Sequence, residues 1–188
     1  MFPRAPIHPA LIAATAALAL AAGAVSAQGL SHRDAKFVQE AAEGGLAEVR
    51  LGQLAQQKAI HAEVQDFAKK MVDDHGKANA DLKTIAQQDG IELPASLNRK
   101  HQKLLDKLRK LTGGDFDREY MEHMVSDHKH DVREFRKEAK AKQDSPVKTF
   151  AANTLPVLEG HLLDALKTYD IAEAPKRSGN REVGSKRG

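Results

Sequence analysis

The chain has 188 residues, 29 Lys and Arg against 26 Asp and Glu, no cysteine, no tryptophan and only two tyrosines. The missing cysteines exclude disulfides, thiolate metal ligands and lipid attachment through an N-terminal Cys. The scarcity of rings leaves no platform for nucleic-acid recognition, and the formal charge of +3 is largely the work of the last 14 residues,.

At the start, Arg4 precedes an apolar run from Ala10 to Ala22 that closes on the small residues Val25-Ser26-Ala27. This is the pattern of a secretory signal peptide cut near Ala27, giving a periplasmic or secreted product. The run is shorter than the roughly 20 residues that span a bilayer, so no membrane span is expected. Residues 28–174 are then one domain of nearly balanced charge. From Pro175 onward Lys176, Arg177, Arg181, Lys186 and Arg187 stand against Glu182 among Gly and Ser. That composition predicts a basic disordered tail at 175–188, with weak envelope contact as its functional reading.

Helical periodicity dominates the body and no stretch alternates like a strand. A first helix is expected at 34–58, entered through Ser31 with Asp34 as capping partner, and a second at 62–88, stopped by Gly90,. A third long helix follows Gly113-Gly114 at 115–140. The fourth, at 146–171, has Ser145 as N-cap and Pro146 at its first position, where the missing N–H does no harm. Between the second and third lies a connection containing Pro94, with Ser96 as expected cap of a short amphipathic helix through Leu97, Leu104, Leu105, Leu108 and Leu111. Short loops make each flanking pair an antiparallel hairpin, and the long connection reaches the length of a bundle. The predicted fold is all-α: a four-helix bundle of two hairpins with a long crossover carrying a short helix.

Two internal echoes accompany this layout. A shift of 83 residues places Glu48 on Asp131, Val64 on Val147 and Phe67-Ala68 on Phe150-Ala151, while Met71-Val72-Asp73-Asp74-His75 echoes Met124-Val125-Ser126-Asp127-His128,.

Each long helix carries a metal-ligand type of residue within its apolar stripe: Glu48, then His75, then His128 with Asp131, then His161,. All lie near mid-height, so they are able to converge. Burying such groups costs several kcal/mol unless they are paired or coordinating. Three imidazoles with one or two carboxylates suit a single Zn, Fe, Mn or Cu ion. The rival reading is a metal-free hydrogen-bond network in which the carboxylates accept from an imidazole N–H or from Tyr120. Asp73, Asp74 and Asp127 are candidates to support the histidines from outside. His32, His61, His101, His123 and His130 read as solvated, and Pro156 is expected to bend the fourth helix, its functional reading being a backbone carbonyl freed toward the site. No nucleophile elbow, phosphate loop or zinc-protease motif appears, so no reaction is implied.

The run Phe37-Val38, Ala41, Gly44-Gly45-Leu46-Ala47-Glu48-Val49, Leu51-Gly52, Leu54-Ala55, Phe67-Ala68 and Met71-Val72-Asp73-Asp74-His75 continues in Tyr120, Asp127-His128, Asp131-Val132, Leu155-Pro156 and His161-Leu162. In these residues, over about 33–170, the chain resembles the bacterial exported family called domain of unknown function 4142. The resemblance implies a ferritin-like four-helix bundle. Members often carry the label of outer membrane protein, which a chain without alternating strands does not support as a barrel. Ferritin-like di-iron sites use a Glu three residues before a His, but Val72, Val125 and Leu158 occupy those positions, so a di-iron centre is not expected,. The sequence thus leaves two functions, an exported bundle binding one transition-metal ion in its core or a metal-free bundle acting in the envelope or in stress tolerance by docking a partner.

Overall fold

The computed structural model describes residues 29–173; the expected leader and basic tail lie outside them. Five helices are present: α1 (His32–Lys58), α2 (Ala62–Gln88), α3 (Arg99–Lys110), α4 (Gly113–Ala139) and α5 (Pro146–Glu173). The all-α expectation holds, and the four long helices begin and end within two residues of their predicted bounds. No helix among the described residues is long and apolar enough to cross a membrane.

Local chemistry sets these bounds. Ser31 Oγ accepts from the Asp34 amide at 3.1 Å and opens α1, and Ser145 Oγ accepts from the Lys148 amide at 3.1 Å and opens α5,. Gly90 takes φ +65°, which lets the Ile91 amide turn back to the Ala86 carbonyl at 2.9 Å and close α2,. One expectation is corrected: α3 is capped by Asn98, whose side chain accepts from the His101 amide at 2.9 Å, and not by Ser96. Asn98 immediately precedes the first helical residue, the position from which a side-chain oxygen reaches the orphan amides of the first turn.

The helices pair as α1 with α2 and α4 with α5, and the two hairpins join through α2 against α5 and α1 against α4. Close approach of α1 and α2 depends on Gly52, where a Cβ would lie 2.9 Å from the Ala68 carbonyl oxygen. Buried Asp117 at the start of α4 accepts from the Ile60 amide at 3.2 Å, from the His61 amide at 3.0 Å and from His61 Nδ1 at 2.6 Å, tying the α1–α2 turn to that end of the bundle. The crossover begins at the opposite end, where the Leu30 amide donates to Asp89, and arrives where Lys58 donates to the Arg109 carbonyl. It therefore runs the length of the bundle, and α2 and α4 point the same way.

The interior is layered. Toward the α1–α2 turn, Leu51, Ala55, Val64, Phe67, Met71 and Met124 form one apolar cluster. Toward the other end, Val38, Leu82, Val132, Phe150 and Leu158 form a second. Every long helix places a buried Glu or His between these two groups: Glu48 on α1, His75 on α2, His128 on α4 and His161 on α5.

Candidate metal centre

The middle layer brings three of the five predicted residues into one cluster. His75, His128 and His161 are almost fully buried, and their ring centroids form a nearly equilateral triangle with sides of 5.6, 5.5 and 5.4 Å. One ring nitrogen from each lies within 4.8 Å of the others.

Hydrogen bonding decides which nitrogens carry lone pairs. His128 Nδ1 is 2.9 Å from the Met124 carbonyl, which only accepts, so the proton sits on Nδ1 and Nε2 is left as a lone pair,. His161 Nε2 donates to Asp74 Oδ2 at 2.8 Å, leaving Nδ1 as its lone pair. Within the trio, the buried ring nitrogens without any partner are His75 Nε2, His128 Nε2 and His161 Nδ1. Asp74 thus plays the supporting part suggested by its place beside His75 in sequence, but it supports His161 across the α2–α5 contact.

Burial keeps the trio neutral. It holds His75 well below its ordinary pKa, helped by the neighbouring His128 and His161, and brings His128 down to about 4,. His161 is lowered by burial too, against the opposing pull of Asp74. At neutral pH all three rings are therefore in the form that ligates metals.

Glu48 lies beside the trio, not within it. Its Oε1 is 3.7 Å from His128 Nδ1, too long for a hydrogen bond and on the ring edge whose proton already goes to Met124,. Both Glu48 oxygens and Tyr120 Oη lack partners, so the closed network of the metal-free reading does not form in these side chains. Burial raises the Glu48 pKa well above the carboxylate range, with the Asp127 and Asp131 carboxylates adding to the rise.

Asp131 does not join the trio. It follows His128 by three residues, which turns it about 60° around α4, into a groove lined also by Glu43, Lys100, His101 and Asp127 from α1, α3 and α4. There burial and Asp127 raise its pKa to about 7.

Three histidines expected in solvent prove otherwise. His101 on α3 is buried, because α3 lays its apolar face on α1 and α4 and His101 lies on that face, four residues before Leu105 and seven before Leu108. His123 on α4 is half-buried. His61 is half-buried against Asp117, while His32 and His130 are exposed as expected. Pro156 sits on the exposed side of α5, as does Ala152, whose carbonyl it deprives of a partner, so the freed carbonyl does not turn toward the site.

An all-helical bundle with a trio of neutral, lone-pair imidazoles in its middle layer is the class of protein that these features define. The chain belongs to the family described as domain of unknown function (DUF4142), whose profile matches residues 19–167. No curated protein matches it. Among solved structures it is similar to CopM in the Cu(I)-bound form, at 18% identity and a TM-score of 0.63 over 75% of this chain and 98% of that one. It is also similar to CopM in the Cu(II)-bound form, at 19% identity and a TM-score of 0.63 over 73% and 96%. At such identity the likeness is one of fold.

Proposed function

We propose that this protein is an exported helical bundle that holds one transition-metal ion on His75 Nε2, His128 Nε2 and His161 Nδ1, and that copper is the ion it takes. The observation that carries the reading is the set of three buried nitrogens that no protein group satisfies, two of them on rings whose other N–H is already engaged. Leaving each unsatisfied costs about 1–3 kcal/mol, and a shared cation relieves all three at once. Supporting residues already in place, Asp74 and the Met124 carbonyl, match the way ligating histidines are oriented elsewhere.

Imidazole donors suit Cu and Zn, and divalent copper heads the affinity order at a nitrogen site. The copper-bound state of a protein with a similar fold points the same way. Nitrogen ligands to such an ion stand at about 2.0–2.1 Å. Glu48, behind His128, is a carboxyl whose ionisation a bound cation would favour, and its charge would then offset part of the ion's. The leader-like pattern of residues 1–27 supports a place outside the cytoplasm, where the fold acts as a metal holder.

The test is metal analysis of protein exported and purified without chelators, followed by copper titration of the wild type and of His75→Ala. Near-stoichiometric copper that His75→Ala removes is the expected result. A wild type showing no binding that depends on His75 overturns the reading and leaves the metal-free bundle.

A further inference from the structure

The groove between α1, α3 and α4 holds a second convergence of donors, separate from the core trio. One ring nitrogen each from His101 and His123 and one carboxylate oxygen of Asp127 lie within 4.8 Å of one another. His101 is only 5% exposed, and its Nδ1 pairs with Glu43 Oε1 at 2.7 Å. A carboxylate only accepts, so the proton is on Nδ1 and Nε2 is left as a lone pair. That Nε2 has no partner, and neither does the buried Nε2 of His123. The two rings sit 6.2 Å apart between centroids, nearly perpendicular at 70°.

We propose that His101, His123 and Asp127 form a second site, for a divalent transition-metal ion reached from the groove. Two imidazoles and one carboxylate are a donor set that suits borderline divalent cations and leaves coordination positions open. Glu43 orients His101 as an outer carboxylate orients a ligating ring. Acidic groups outnumber basic ones here: Glu40 and Glu43 from α1 and Asp127, Asp131 and Glu134 from α4 line the groove, against Lys36 and Lys100. The site does not rest on the core reading, since it shares no ligand with it.

Zinc chloride titrated by calorimetry into the metal-stripped full chain tests this directly. With both sites real, the wild type takes two equivalents, His75→Ala takes one, and His101→Gln or His123→Gln takes one. A His75→Ala protein that binds no zinc, or His101→Gln and His123→Gln proteins that keep the wild-type stoichiometry while their helical circular dichroism is intact, overturns the second site. If His75→Ala matches the wild type at one equivalent and His123→Gln binds none, the groove site stands and the core reading falls. Half-buried His123 is the safer variant should replacing buried His101 unfold the chain.

Discussion

Above and below its middle level the bundle is filled by side chains that need nothing but each other: Leu51, Phe67 and Met124 on one side, Val38, Leu82 and Phe150 on the other. At the middle level Glu48, His75, His128 and His161 are buried equally well and yet leave five polar atoms without partners. The apolar layers account for stability through area removed from water. The polar layer works against it, which is the expected signature of a site retained for what it binds.

The contrast is broken most forcefully by cutting an apolar layer. Leu82 is 1% exposed on α2, on the far side of His75 from the α1–α2 turn. Leu82→Ala should destabilise the protein by about 2–5 kcal/mol, the range for truncating a buried leucine. Urea unfolding measures this, and copper stoichiometry at low denaturant should stay at the wild-type value. A variant that loses the ion in proportion to stability would mean that the layers are not separable.

Asp74→Asn sharpens the same contrast from the other side. Its carboxylate is 43% exposed and touches no apolar layer residue through a hydrogen bond, but it holds the His161 tautomer. Stability should barely change, while affinity for the core ion should fall about tenfold, the lower end of the range for outer partners of ligating histidines. Isothermal titration would show it, and unchanged affinity would remove Asp74 from the site.

The helices and their pairing were legible because periodicity, caps and loop lengths all act locally. Ser31, Gly90, Ser145 and Pro146 each do what their chemistry dictates at the place where they stand. Glu48, His75, His128 and His161 were legible as well, since a polar residue within an apolar stripe at mid-helix has few places to go. Asp131 lies about 60° around α4 from His128, a turn too small for a stripe to resolve, and its side chain lines the neighbouring groove,. His101 was missed because its burial depends on the crossover lying down on α1 and α4, a tertiary event. A signal was nevertheless present, in its spacing from Leu105 and Leu108. Asp117 was missed for a related reason: its partners are the backbone amides of Ile60 and His61, distant in sequence and silent in composition.

The smallest effect expected is in the pH dependence of the metal-free protein, where the two kinds of buried group pull in opposite directions. Burial holds His75 well below its ordinary pKa and His128 at about 4. The unfolded chain takes up protons below about 6.5 that these rings refuse, so the stability they contribute at neutral pH is lost as pH falls from about 6.5 toward 4. Asp131, raised from 3.8 to about 7, does the reverse. Folded, it keeps a proton that the unfolded chain has released, and stability grows as pH falls from 7 toward 3.8; Glu48 acts in the same direction. The carboxyl groups therefore flatten the acid limb that the histidines would make steep. Asp131→Asn should steepen it by less than about 1.4 kcal/mol per pH unit, one proton's worth reduced by the solvent that reaches this half-buried group. Urea melts in chelator at pH 4.5, 5.5 and 6.5 measure the slope. Parallel curves for wild type and variant would mean that Asp131 is ionised throughout, and that the groove is wetter than its lining of α1, α3 and α4 side chains implies.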